Sequence, residues 1–127
     1  MKIIVNGACG RMGREVISAA ASKGITVVAA VDVFNGITPE GIPFYNSLAD
    51  VTEKADAVID FSHHTAVPDI CDFVRNTNTP CVVASTGHTE SELAMLRALS
   101  AEFPVFFSRN MSLGINMLLK LVKEATA

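Results

Sequence analysis

The sequence has no excess of positive charge. Ten Lys and Arg face thirteen Asp and Glu, for a formal charge of −3, so the clustered cationic surface on which nucleic-acid binding depends is missing. No apolar run approaches the ~20 residues needed to cross a bilayer, and no membrane partner is expected. The chain passes from Met1-Lys2 straight into a strand-like run, with no basic leader, long apolar stretch or small-residue cleavage site. The expectation is a cytoplasmic protein. Charged residues make up only 18% against 50% hydrophobic, a balance that excludes a disordered chain. Cys9, Cys71 and Cys81 are odd in number and lack metal-ligand spacing, which reads as reduced thiols and no metal site. A length of 127 residues suits one domain with a core of its own.

What the chain does have is Gly7-Ala8-Cys9-Gly10-Arg11-Met12-Gly13, set between the apolar run of residues 2–6 and a helical pattern over 11–23. Strand, glycine turn and helix N-terminus in that order form an anion site, because unpaired backbone N–H groups and the positive end of the helix dipole face one point. Gly7 suits the turn, Gly10 the close approach of a phosphate, and Gly13 the packing of helix on strand. The spacing is G-x-x-G-x-x-G, with Cys9 where the commoner dinucleotide fingerprint has its second glycine. Cys9 is read there as a small residue in a tight loop rather than as a reactive thiol. A second β-type run over 25–31 ends at Asp32, about 20 residues past the last glycine, where a carboxylate binds the ribose hydroxyls of a dinucleotide.

Beyond Asp32 the Pro- and Gly-rich passage 33–43 reads as loop, with a short edge strand near 42–45. Ser47 and Asp50 suggest a short capped helix. Residues 57–61, 80–84 and 103–107 are apolar runs of strand length. Between them Thr65 is expected to cap a helix ending near 76, with Pro68 in its first turn and Val67, Ile70, Cys71 and Val74 on one face. Thr89 and Glu92 form a capping box for the next helix, which turns Leu93, Leu96 and Leu99 to one side. Residues 108–112 read as loop, and 113–124 as a last helix with Ile115, Leu118, Leu119 and Val122 at helical spacing. Strands alternating with helices through short loops specify an α/β fold, a Rossmann-type parallel sheet with helices on both faces in a single domain. Ligands of such sheets bind at the carboxyl ends of the strands. The polar clusters at 7–12, 32, 62–64, 85–87 and 108–112 all fall there.

Four separated stretches resemble the bacterial 4-hydroxy-tetrahydrodipicolinate (dihydrodipicolinate) reductases of lysine and diaminopimelate biosynthesis. GACGRMGR at 7–14 matches that family's G-A-x-G-R-M-G-R, and AVIDFS at 57–62 its strand ending in D-F-S/T. VVASTGH at 82–88 corresponds to V-I-G-T-T-G, and SRNMSLGINMLLKL at 108–121 to A-P-N-F-S-x-G-V-N-x-x-x-K-L. The resemblance implies an N-terminal domain that binds NADH and/or NADPH. It implies that Gly7, Ala8, Cys9, Gly10, Arg11 and Met12 hold the pyrophosphate and Asp32 the adenosine ribose. Ala84, Ser85, Thr86, Ser108, Arg109, Asn110 and Met111 would flank the nicotinamide, with Phe61 packed near the same ring. The chain departs from the family at Ala84, where glycine is usual, at Ser85, where threonine is, and at Ser108-Arg109 in place of Ala-Pro.

The resemblance also implies an NAD(P)H-dependent oxidoreductase whose second half binds substrate and carries a catalytic histidine and lysine in an E-x-H-H-x-x-K-x-D-A-P-S-G-T-A stretch. No such stretch occurs within residues 1–127. The expectation is a dinucleotide-binding domain without catalytic residues of its own, inactive alone, and mainly monomeric because the family's tetramer forms through the substrate half. His63-His64 are read as loop residues, and Asp32 as a surface residue ending its strand. A stand-alone NAD(H)-binding redox-sensing domain is the alternative. A CoA-binding domain is disfavoured, since Asp32 would repel the 3′-phosphate of CoA.

Overall fold

Six apolar runs pair side by side in a computed structural model that describes residues 1–34, 36–37, 39–108, 112, 115, 117–118 and 121–123. They are β1 (Lys2–Asn6), β2 (Thr26–Val31), β3 (Phe44–Tyr45), β4 (Ala57–Asp60), β5 (Cys81–Val83) and β6 (Val105–Phe107). Their order in the sheet is β3-β2-β1-β4-β5-β6, and every neighbouring pair is parallel. Helices α1 (Arg11–Ser22), α2 (Val67–Thr77) and α3 (Glu90–Glu102) follow β1, β4 and β5. This is the Rossmann-type sheet expected from the alternating pattern.

The period-2 alternation of the strands divides the core between two faces. Ile3, Val5 and Ala30 pack on one side with Ala8 and Ala20, joined by Val16 and Ile17 of α1. Ile4, Ala29, Val31, Val58 and Val83 point the other way, into Val67, Ile70, Cys71, Phe73 and Val74 of α2 and Leu96 and Leu99 of α3. Each fully buried aliphatic side chain contributes about 1.5–3 kcal/mol, so helices on both faces are what keep this short-stranded sheet together.

Local signals define most helix ends. Thr89 accepts from the Glu92 N–H while the Glu92 side chain accepts from the Thr89 N–H, the expected capping box. Asn78, at φ 56°, closes α2 in the left-handed conformation, two residues past the expected stop. The start of α2 corrects the sequence reading. Thr65 does not cap it: His63 accepts from the Thr65 N–H to open a 3-10 turn over His64–Ala66, and Ala66 leads into α2 without a side-chain cap. A histidine ring nitrogen thus takes the place of the expected hydroxyl. Ser47 likewise opens only one 3-10 turn, Leu48–Asp50, by accepting from Ala49 N–H. Of the last expected helix, Ile115, Met117, Leu118, Leu121, Val122 and Lys123 are helical and exposed. Leu119, with Arg109, Asn110 and Met111, lies outside the described residues.

Two glycines set the approach of α1 to the sheet. Gly7 adopts φ +79°, and a Cβ on it would lie 2.6 Å from the Phe61 carbonyl carbon and oxygen. At Gly13 a Cβ would come within 2.1 Å of the Gly7 carbonyl oxygen and 2.8 Å of Ala8 Cα. Neither backbone neighbour can swing aside. Gly10 differs, because its Cβ would meet only the Gly7 carbonyl oxygen, at 3.3 Å. Gly13→Ala is therefore expected to lower stability by about 3 kcal/mol or more, and Gly10→Ala by no more than about 1 kcal/mol. Urea denaturation of the two variants beside the parent chain measures both, and equal losses would contradict the packing account.

Candidate functional site

Because all strands are parallel, their carboxyl ends share one edge of the sheet. The chain passes from β3 on one side of β1 to β4 on the other, and loops leaving the strands there diverge to leave a crevice. A cleft of about 290 Å³ occupies it. Asn6, Gly7 and Gly10 line it from the β1 side, Val31 to Phe34 from β2, Asn46 to Leu48 beyond β3, and Phe61, Ser62 and His63 beyond β4. Thr65, Ala66 and Asp69 close it. Among the described residues along its wall are two acids, Asp32 and Asp69, and neither lysine nor arginine.

The glycine turn folds over the end of β1 through bonds from Gly7 and Ala8 N–H to the Val31 carbonyl, at 2.8 and 3.0 Å. Gly10 enters α1 with no side-chain cap. The N–H groups of Arg11, Met12 and Gly13, which no preceding helical turn can accept, are thus left to an outside acceptor. Of the residues expected at the pyrophosphate, Gly7 and Gly10 line the cleft, Ala8 is fully buried and Cys9 is half-buried. Arg11 and Met12 stand exposed on the first turn of α1.

Asp32 is a correction. It is not a surface residue but is buried, at 8% exposure. One carboxylate oxygen accepts Cys9 N–H at 2.8 Å and the other Phe34 N–H at 3.1 Å, while its carbonyl accepts the Asn46 amide at 3.1 Å. The side chain braces the glycine turn, and each oxygen keeps a lone pair for a further donor.

The family model for dihydrodipicolinate reductase, N-terminus, matches residues 1–111. The chain belongs to this family. It is 43% identical over 126 residues to the 4-hydroxy-tetrahydrodipicolinate reductase of Caldanaerobacter subterraneus, covering 98% of this chain and 49% of that protein. With that of Clostridium botulinum the identity is 36% over 128 residues, covering 99% and 50%. The chain spans about half the length of these curated relatives. A solved dipicolinate-bound dihydrodipicolinate reductase from a Paenisporosarcina species matches with a TM-score of 0.81 at 20% identity, over 98% of this chain and 53% of that one. A myo-inositol 2-dehydrogenase from Lactobacillus plantarum matches with 0.76 at 16%, over 99% and 42%. These two are likenesses of fold. A Rossmann fold in a dihydrodipicolinate reductase family suits a cofactor of the NAD(P)H type.

The dihydrodipicolinate reductase motifs at β4 and β5 meet beside the cleft. Asp60, from the D-F-S stretch, accepts the Ser85 hydroxyl at 2.8 Å, from the A-S-T-G stretch. Thr86 stands exposed next to Ser85, Ala84 is half-buried, and Ser108 follows β6 on the same edge. Sequence reasoning left out Asn6, Asp60, His88 and Glu92 as site-edge residues. Their available signal was a polar side chain ending an apolar strand, at Asn6 and Asp60. Cys71 and Cys81 stay inert: burial raises the Cys71 thiol and pushes Cys81 up to about 11. Among the described residues no group of three His, Cys, Asp or Glu could hold a metal, and no helix is long and apolar enough to cross a membrane.

His64 is more than the loop residue expected, since its Nδ1 lies 3.0 Å from both carboxylate oxygens of Glu92 and ties the β4 connection to the start of α3. The His64 hydrogen bond, followed by the Thr89 N–H, holds the Glu92 carboxyl at about 2 instead of 4.5. A carboxyl depressed in the folded state stabilises the fold above its unfolded value, and that stabilisation is lost as pH falls through the folded one. Denaturation midpoints should therefore decline from about pH 4.5 towards pH 2. In Glu92→Gln that part of the slope should vanish; an unchanged slope would show that the pair carries none of it.

Proposed function

We propose that residues 1–127 are the NAD(P)H-binding half of a 4-hydroxy-tetrahydrodipicolinate reductase, which as a whole reduces 4-hydroxy-tetrahydrodipicolinate to tetrahydrodipicolinate in lysine and diaminopimelate biosynthesis. The observation that carries this reading is the cleft at the strand-order reversal, where the glycine turn, the uncapped start of α1 and Asp32 converge in a chain of this family. Gly7, Ala8, Cys9, Gly10, Arg11 and Met12 hold the pyrophosphate, through backbone N–H groups above all. Packing explains Gly7 and Gly13, whereas the weaker contact at Gly10 supports a glycine kept for the approach of phosphate. Asp32 binds the adenosine ribose. Phe61, Ala84, Ser85, Thr86 and Ser108, with Arg109, Asn110 and Met111, flank the nicotinamide.

The bound nicotinamide supplies a hydride; this half binds it and fixes its orientation. Substrate binding and proton donation belong to the part of the family's length beyond residues 1–127. Positioning of the two reactants contributes about 7–11 kcal/mol to such a transfer, and one wall of the site cannot provide it. Residues 1–127 should bind NADH while NADH oxidation with substrate stays at the background rate. Turnover by this chain, free of host reductase, would overturn the division of labour.

The acidic wall of the cleft supports NADH. A 2′-phosphate needs a cation beside the ribose, but Val33 and Phe34 follow Asp32, and Asp69 adds negative charge. Among the described residues, Arg11 and Arg14, exposed on α1, are the cations near the glycine turn that offer partial compensation. NADH should bind as tightly as NADPH or more so, and calorimetry giving NADPH more than about tenfold tighter would refute this. Asp32→Ala should weaken NADH roughly 10-fold to 150-fold, the worth of bonds to a charged group. It should also cost about 1–3 kcal/mol of stability, because Cys9 and Phe34 N–H lose their acceptor. Calorimetry together with urea denaturation separates the two effects.

A further inference from the structure

Asp60 is a fully buried carboxylate at the last position of β4. Burying such a group is costly unless its charge is fully hydrogen-bonded, and packing alone would be served by an apolar residue. Its bonds run to the two segments that the cofactor reading assigns to opposite ends of the dinucleotide. One oxygen accepts the Asn6 amide at 2.8 Å, the Ser62 N–H at 3.2 Å and the Ser62 hydroxyl. Asn6 directly precedes the glycine turn. The other oxygen accepts the Ser85 hydroxyl at 2.8 Å, and the Asp60 carbonyl accepts Ala84 N–H at 2.9 Å.

The direction of the next bond follows from counting hydrogens. Ser85 has one hydroxyl hydrogen, and it goes to Asp60. The 3.2 Å contact between Ser85 Oγ and His88 Nε2 therefore runs from an Nε2–H to the serine oxygen. His88 in turn meets Phe107, at the end of β6, edge to face with centroids 5.2 Å apart. One buried charge thereby orders the ends of β1, β4, β5 and β6.

We propose that Asp60 is a positioning residue: through Asn6 and Ser85 it fixes the nicotinamide-flanking segment of residues 84–86 relative to the pyrophosphate turn. The proposal rests on the cofactor reading above and adds to it the group that sets the spacing between the two halves of the site. Fully buried, Asp60 offers no surface to a ligand and acts through Ser85. Ligands that stop at the second phosphate and its ribose should be indifferent to the network, and only those carrying the nicotinamide should feel it.

The test compares NADH with ADP-ribose, by calorimetry and by the emission of bound NADH. In Asp60→Asn and Ser85→Ala the NADH dissociation constant should rise about 5-fold to 10-fold, the worth of one hydrogen bond, while that of ADP-ribose stays within about twofold. The emission of bound NADH should shift towards that of free NADH. Ser85→Thr, which keeps the hydroxyl, should restore both values. Ser85→Ala removes a single hydrogen bond and keeps the test decisive if Asp60→Asn does not fold. Equal weakening of both ligands, or weakening of neither, would overturn the positioning role. A parent chain that binds ADP-ribose and NADH not at all would instead defeat the cofactor reading, and the positioning role with it.

Discussion

The contact on which the rest depends is that of Gly13 with the Gly7 carbonyl, where even one methyl group would sit 2.1 Å from oxygen. It brings the first turn of α1 directly over the end of β1. The N–H groups at the start of α1 and the carboxyl ends of the strands then share one edge of the sheet. The same closeness places Gly7 against the Phe61 carbonyl, so that the end of β4 is fitted to the turn as tightly as the helix is. A side chain at either glycine would part helix, turn and strand together, and the cleft between β1 and β4 would lose its floor.

Around that contact the polar residues are distributed by a second constraint, the cost of leaving a buried donor or acceptor unpaired. Asp32 is enclosed by the Cys9 N–H of the turn it supports and by the Phe34 N–H of the segment that follows it, and Asp60 by donors from three segments. Among the described residues no buried side-chain nitrogen or oxygen lacks a partner. The two carboxylates sit on either side of β1, one at the end of β2 and one at the end of β4. Each holds a loop that would otherwise have no packed core to position it. His64 and Glu92 repeat the device nearer the surface, joining the entry of α2 to that of α3.

Much of this was legible in the residues. Ile3 to Val5 and Val27 to Val31 announce buried strands, the three glycines announce the turn between strand and helix, and Thr89 with Glu92 announces the start of α3. Family motifs extended the reading to the ends of β4 and β5. The errors share a cause. Thr65 was expected to cap α2 because hydroxyls usually do, yet its own N–H is donated to His63 in the preceding 3-10 turn, and α2 starts from Ala66 without a side-chain cap. Asp32 was expected at the surface because it ends a strand, yet the turn from residue 9 and the segment after it close over the carboxylate.

The sequence by itself determined the strands, the helices, the glycine turn and the membership of a reductase family, since these rest on periodicity and on spacings within one turn or one motif. Only the tertiary structure decided which side chains share a bond. Asn6 and Asp60 are 54 residues apart, Asp60 and Ser85 25, and His64 and Glu92 28. No local pattern carries such a pairing, because it exists only when parallel strands far apart in the chain end at the same edge. The strand order, which sets β4 and not β2's successor next to β1, is what turned two ordinary strand-ending acids into the braces of a binding cleft.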